Sequence, residues 1–316
     1  MQTILDLGAD VDSRYLVIAC AVHSFATQSI DNERHAILAW LGSVPRGSRL
    51  GMESTGGYHE LLADLAHAAG LQVFVLNARE VRRYAQGIGR RGKTDRVDAA
   101  VIARYVAREH AELHAYVPPS KAQRALARLI KRRAKLVVIK GTLTQSLRGL
   151  PGVCQELKQV MTRLERLIAQ VEVLMQRALQ QLPAARQAAQ HIATIPGFGT
   201  LSSTCLGHSF TRLPYSNSDA VVAHTGFDPR PEDSGKKHGR RRLSKRGPAE
   251  QRRLLFNCAR SAANTKLWRP YYEAQRAKGL SATAATVILA RKMVRVAFAV
   301  YKHNQPFDPA RIGIHA

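Results

Sequence analysis

Short apolar blocks with β-branched residues fill the first third of the chain, and helical periodicity takes over beyond it. Residues 2–9 and 15–22 read as two strands joined by the turn-like stretch Asp10–Arg14, so Asp10 stands where the first strand ends. A third short strand is expected at 27–30, a helix at 33–41, and another strand at 49–53 that Ser54-Thr55-Gly56-Gly57 stops directly after Glu53. A helix over 58–69, a compact β-rich run at 71–76, a short helix over 79–86 and a long one over 95–108 complete the region. Strands first, then strands alternating with helices, predict a mixed α/β sheet with helices on its faces.

From Pro118 the pattern is helical throughout. Leu126, Leu129, Ile130, Leu136, Val137, Leu143 and Leu147 form one apolar face among many Arg and Lys. After Pro151-Gly152, the residues Val153, Leu157, Val160, Leu164, Leu167, Val171, Leu174 and Ala178 step by alternate fours and threes, a heptad seam. At about 1.5 Å per residue it extends roughly 40 Å. It reads as half of a helical hairpin or coiled coil joining two protomers; a helix packed on its own domain is the alternative. Pro183 ends it. A third region opens with Ile195-Pro196-Gly197-Phe198-Gly199, a turn whose exposed amides suit a phosphate backbone. Helices over 201–207 and 218–224, a loop from Gly226 to Gly235 and closing helices over 248–263 and 282–301 follow. Three domains result: 1–117 around the sheet, 118–190 as the coiled-coil region, and 191–316, mostly α.

Charge then narrows the function. The 48 Lys and Arg against 23 Asp and Glu give a net charge of +25 and a pI near 10.7. Without a polyanionic partner such an excess would only add self-repulsion, so nucleic acid is the expected partner. No run of about 18 apolar residues and no signal peptide stands in the sequence, which points to a soluble cytoplasmic protein, nucleoid-associated when bound to DNA, with no membrane partner. Cys20, Cys154, Cys205 and Cys258 are scattered without a Cys-x-x-Cys pair and read as reduced residues rather than a zinc site or disulfide framework. His110 and His114 have the i, i+4 spacing of a helical metal pair, but no third ligand lies near them in sequence.

The candidate chemistry centres on Lys93-Thr94-Asp95-Arg96-Val97-Asp98-Ala99-Ala100. Asp95 and Asp98, three apart, share one face at the start of an apolar helix. N-capping is the simple account of such acids. Their company suggests more, because Arg79, Arg82, Arg83, Arg90, Arg91, Lys93 and Arg96 surround them. A carboxylate pair within a cationic rim suits a divalent metal poised over a phosphodiester. Were Asp10 and Glu53, at strand ends, to meet Asp95 and Asp98 at one sheet edge, mutual repulsion would demand bound cations, and oxygen-only ligands favour Mg2+ or Mn2+ over zinc. Far along the chain, Arg230, Lys236, Lys237, Arg240, Arg241, Arg242, Lys245 and Arg246 put eight basic residues against two acids, Glu232 and Asp233, in the most cationic loop. Ser234 lies within it. A serine before glycine is commonly turn chemistry, and Ser244 competes on the same terms.

Three motifs taken together, Gly8-Ala9-Asp10, Glu53-Ser54-Thr55-Gly56-Gly57-Tyr58 and Lys93-Thr94-Asp95-Arg96-Val97-Asp98-Ala99, resemble the DEDD-type insertion-sequence transposases, the bridge-RNA-guided serine recombinases. Ile195-Pro196-Gly197-Phe198-Gly199, Asp233-Ser234-Gly235, Ser244-Lys245-Arg246-Gly247 and the tail Pro306-Phe307-Asp308 extend the resemblance over nearly the whole chain. It implies a RuvC-like N-terminal domain with an RNase H fold, a coiled-coil middle and a C-terminal transposase domain. It implies also that Asp10, Glu53, Asp95 and Asp98 hold Mg2+, that Ser234 becomes covalently joined to DNA, and that homodimers assemble into homotetramers. The expected partners are donor DNA, target DNA and a noncoding bridge RNA. Asp6 and Asp12 flank the first acid, and Arg14 stands where the family has Lys.

Two other readings compete. A RuvC-like metal-dependent nuclease hydrolysing branched DNA would need the four acids and not Ser234. A non-enzymatic basic coiled-coil protein binding nucleic acid would need neither.

Overall fold

A computed structural model describes residues 4–22, 26–54, 56–90, 94–230, 239 and 241–311. The chain divides into two compact units, 1–118 and 119–316.

The first unit is built on a five-stranded sheet. In chain order it runs β1 (Asp6–Val11), β2 (Tyr15–Cys20), β3 (Gln28–Asp31), α1 (Arg34–Leu41), β4 (Arg49–Glu53), α2 (His59–Ala68), β5 (Gln72–Leu76), α3 (Ala78–Gly87) and α4 (Asp95–Glu109). Strand order is β3-β2-β1-β4-β5, with β1, β2 and β3 antiparallel meander neighbours and β4 and β5 parallel to β1. The hairpin-forming apolar blocks could pair directly, whereas the strands separated by helices had to return in parallel. Leu16, Ile37, Leu50, Met52, Leu62 and Phe74 are fully buried around the sheet. Each such side chain stabilises by roughly 1.5–3 kcal/mol.

Two glycines decide how the long helix sits. A Cβ on Gly8 of β1 would stand 2.2 Å from the Ala103 amide nitrogen and 2.3 Å from the Ala99 carbonyl oxygen. One on Gly51 of β4 would meet Val106 Cγ2 at 2.4 Å. These positions are register partners on neighbouring strands, so their bare backbone makes a trough in which α4 lies close to the sheet. Ala99, Ile102, Ala103 and Val106 are almost fully buried there.

The second unit is helical apart from one short hairpin. It comprises α5 (Lys121–Ser146), α6 (Cys154–Gln180), α7 (Pro183–Ala193), α8 (Thr200–Arg212), α9 (Ser218–Thr225), β6 (Pro229–Arg230), β7 (Arg242–Leu243), α10 (Ala249–Ala262), α11 (Arg269–Ala277) and α12 (Ala282–His303). A capping box between Ser120 and Gln123 starts α5. α5 and α6 pack as a helical hairpin, tied by Lys140–Glu165 at 2.5 Å and Arg133–Glu172 at 2.9 Å. The root of the hairpin is buried: Leu126, Met175, Ala178 and Leu179 cluster with Ala185 and Ala189 of α7. Its seam farther out stays open, with Val160, Leu167 and Leu174 exposed at seven-residue intervals.

The turn Ile195–Gly199 is not the amide-presenting loop its sequence suggests. Ile195 and Phe198 are buried, and Trp268, itself fully buried, donates from Nε1 to the Pro196 carbonyl at 3.0 Å. The Gly199 amide is taken by Ser202 Oγ at 3.1 Å and that of Phe198 by the Ile195 carbonyl at 3.0 Å. Gly197 is there because φ is +100° and a Cβ would lie 2.6 Å from Ala262 Cβ. The turn is a packing device inside the core of this unit.

No helix among the described residues is long and apolar enough to cross a membrane.

Candidate functional site

Alternation along a strand puts Gly8 and Asp10 on one face of β1, and Gly51 and Glu53 on one face of β4. Continuing the β1/β4 register from Gly8↔Gly51 and Ala9↔Met52 brings Asp10 level with Glu53. α4 covers that same face. Because Ala99 and Ala103 sit over Gly8, the helix start, with Asp98 and Asp95, continues toward Asp10. The charges of the other three acids reach Asp10. Asp10 is raised to about 6, first by burial and then by the charges of Asp95, Asp98 and Glu53.

The helix start is capped by Thr94, whose Oγ1 accepts from the Val97 amide at 3.3 Å. N-capping is thus Thr94's work, and neither aspartate is needed for it. Asp95 instead accepts a hydrogen bond from the Tyr15 hydroxyl at 3.1 Å, and that bond raises the Tyr15 pKa. Tyr15 went unnoticed in the sequence because its partner lies 80 residues away.

The other acids near Asp10 are otherwise engaged. Asp6, at the opposite end of β1, is paired with Arg49 at 2.5 Å, and Arg49 also meets Nε2 of His110. That accounts for His110 without a metal. Asp12 is exposed beyond β1 and accepts from the Ser13 hydroxyl and the Arg14 amide, which hold its carboxyl below the usual range.

Drawn together, Asp10, Glu53, Asp95 and Asp98 would give a hard, oxygen-only donor set whose mutual repulsion a divalent cation would relieve, so the residues fit Mg2+ or Mn2+ in kind. Among the described residues no three His, Cys, Asp or Glu side chains stand around one point. Arg90, after α3, is exposed; Arg91 and Lys93 lie outside the described residues.

In the second unit, β6 and β7 pair antiparallel, Pro229 with Leu243 and Arg230 with Arg242. Below them the Ser244 amide donates to the Asp228 carbonyl at 2.9 Å, and the Lys245 amide to that of Gly226 at 3.1 Å. Ser244 is buried and donates its hydroxyl to the Asp228 carboxylate, the role of a side chain closing a hairpin base. Gly247 packs so closely on the His224 carbonyl that no Cβ fits. Arg241, Arg242, Lys245 and Arg246 are exposed along this base. Ser234, Lys236, Lys237 and Arg240 lie outside the described residues.

Residues 19–154 match a family model described as a transposase, of the DEDD IS110 type, and residues 189–273 match one described as transposase IS116/IS110/IS902 family. The chain carries the transposase domains of the IS110/IS116 family. The first match includes Glu53, Asp95 and Asp98 and begins after Asp10; the second spans Ser234 and the basic loop. Curated relatives are similar to the chain over most of their length. A pilin gene-inverting protein of Moraxella bovis is 27% identical over 266 residues, covering 81% of each chain. A transposase for insertion sequence element IS1328 of Yersinia enterocolitica is 28% identical over 293 residues, covering 81% of this chain and 84% of its own.

Proposed function

We propose that this transposase cleaves and rejoins DNA through a phosphoserine intermediate, with Mg2+ held by Asp10, Glu53, Asp95 and Asp98 and with Ser234 as nucleophile. The observation that carries the reading is the glycine trough on β1 and β4, because it lets α4 bring its two acids to the face that bears Asp10 and Glu53. Bound there, the cation would supply charge to a phosphoryl group and its leaving oxygen. The chain's own part begins with Ser234. Its oxygen displaces one strand's oxygen from phosphorus and its proton passes to the oxygen that leaves, so a phosphodiester is exchanged for a phosphoserine ester and the freed strand ends in a hydroxyl. A second strand's hydroxyl reverses the exchange without ATP. The exposed Arg241, Arg242, Lys245 and Arg246, together with Lys236, Lys237 and Arg240, neutralise the phosphate and hold the backbone. Arg90, Arg91 and Lys93 do the same beside the acids.

The protein's grip is then on backbone and shape, and a bridge RNA selects donor and target by base pairing. The open heptad seam of α6 supports dimers, and pairs of dimers assemble into tetramers.

Ser234→Ala is expected to leave nucleic-acid binding intact and to abolish protein–DNA adducts on denaturing gels, whereas Glu53→Gln abolishes both adduct and cleavage. An adduct surviving in Ser234→Ala would refute the nucleophile. Cleavage to free hydroxyl ends with no adduct in the wild type would leave the hydrolytic nuclease instead, and Glu53→Gln without effect on either would leave only a binding protein. Sequencing the RNA that copurifies with the chain tests the guide.

A further inference from the structure

A cavity of about 690 Å3 in the second unit lies between α5 and the α8 and α10 helices. That size is within the roughly 300–1,000 Å3 of sites that enclose organic ligands. Its walls are mainly aliphatic, with Ile130, Ala134 and Val138 from successive turns of α5 facing Cys205 on α8. Val138 is 57% exposed at its edge, an apolar side chain left bare in a very basic helix. Ser209 and two histidines interrupt the apolar lining, and so does Gln251, which is 92% buried and whose Nε2 has no hydrogen-bond partner among the described residues. A buried donor left in that state is costly and awaits an acceptor. The charged residues of the lining are mainly cationic, with Lys131, Lys135, Arg212 and Arg253 against one acid, Glu250, which Arg253 pairs at 2.7 Å.

These features constrain the occupant. It needs flat or rounded apolar faces, an acceptor on its edge for Gln251, and an anionic tether for the rim. A helix of a second copy meets the first requirement and fails the last. α5 carries eight Lys and Arg and no Asp or Glu, and residues 119–316 hold 35 basic against 10 acidic residues, so a like-charged surface would be brought against it. We propose that the cavity receives a nucleobase turned out of its stack, the base lying between α5 and α8, its acceptor edge on Gln251 and its phosphates on the α5 rim. His208 and His224 also line the cavity, and burial lowers the pKa of each, so uncharged imidazole faces are available beside the base. The inference rests on the nucleic-acid partner in the function proposed above and not on Ser234 or the metal.

The test uses the full chain and short single strands of thymine and 2-aminopurine, whose fluorescence rises when the base leaves its stack. A deoxyribose and a ribose version separate DNA from RNA as the source. Saturating wild-type protein is expected to raise the fluorescence several-fold with at least one of them. Ala134→Phe, which fills the cavity, should abolish the rise while the strand still binds through its phosphates. Gln251→Leu, nearly the same shape without the donor, should cut the rise by half or more, and it serves alone should Ala134→Phe not fold. Binding without a rise, or a rise unchanged in a folded variant, overturns the proposal. So does Ala134→Phe altering the sedimenting mass and not the fluorescence, which would make the cavity a seat for another copy. If neither strand binds the wild type at low salt, the inference falls together with the nucleic-acid partner, and covalent adduct formation remains a separate readout for Ser234.

Discussion

The two units differ most in charge. Residues 1–118 hold 13 acidic and 13 basic residues, whereas residues 119–316 hold 10 and 35, so the whole excess of +25 resides in the second unit. The unit that carries Asp10, Glu53, Asp95 and Asp98 is electroneutral, and the unit that carries Ser234 is a polycation. A carboxylate cluster repels a phosphate backbone, and a polycation attracts one from any direction. On the function proposed above, most of the grip would come from the second unit and the metal-holding acids from the first, which predicts that backbone binding and metal-dependent cleavage can be broken independently.

The largest break should come from the trough. Gly8→Val places carbon within 2.2 Å of the α4 backbone, which cannot yield as the end of a flexible side chain could. Overpacking of this kind costs about 3 kcal/mol or more. The first unit should unfold early in a urea titration followed by circular dichroism, cleavage should vanish, and salt-sensitive DNA binding by the second unit should remain. Equal loss of binding would mean that the units do not divide the work.

Next in size is the cation. Mg2+ binding only to the folded chain stabilises it by about 1.4 kcal/mol at ten times its Kd, enough to move the melting temperature by a few degrees. Wild type should show this rise, and Asp10→Asn should lose most of it while melting higher than wild type in chelator, because one member of a repelling set is gone. A wild-type melt indifferent to Mg2+ would count against the four acids as ligands.

Smaller again is the effect of a single rim charge. Arg242→Ala should lower the slope of log affinity against log salt by about 1. The same substitution at Arg90 tests whether the first unit adds any grip of its own. An unchanged slope for both would place the backbone contacts elsewhere on the polycation.

Much of this architecture was legible in the sequence. Every strand and helix of residues 1–109 falls within a few residues of its expected place, because β-rich blocks and amphipathic runs there are short and sharply punctuated. α7 and α11 were missed for different reasons. α7 buries three alanines and one isoleucine on its inner face, too little apolar bulk to stand out in the sequence, and α11 is polar with no fully buried residue. The acids could be named from their places at strand ends and a helix start. What lets α4 lie so close to both strands, a glycine two residues before each strand acid, is visible as Gly8/Asp10 and Gly51/Glu53 only once α4 is known to lie over both. The contact between Tyr15 and Asp95 and the engagement of Asp6 by Arg49 depend on pairing across the sheet, which no local pattern encodes.

The finest difference between the units concerns pH. His224 packs edge-on against Tyr215 with ring centroids 5.5 Å apart, and burial lowers its pKa from the ordinary 6.5. His208, also lowered by burial, behaves alike. Between the folded value and 6.5 the unfolded chain binds more protons than the folded one, so stability rises with pH across that window and is lost as pH falls below 6.5. The loss belongs to the second unit. His224→Phe keeps an aromatic edge against Tyr215 and removes the proton, so the second unit should lose less stability than wild type on acidification, read as urea midpoints on either side of pH 6.5. If wild type and variant lose stability equally, the imidazole is already protonated in the folded chain, and burial at this position is weaker than its packing implies.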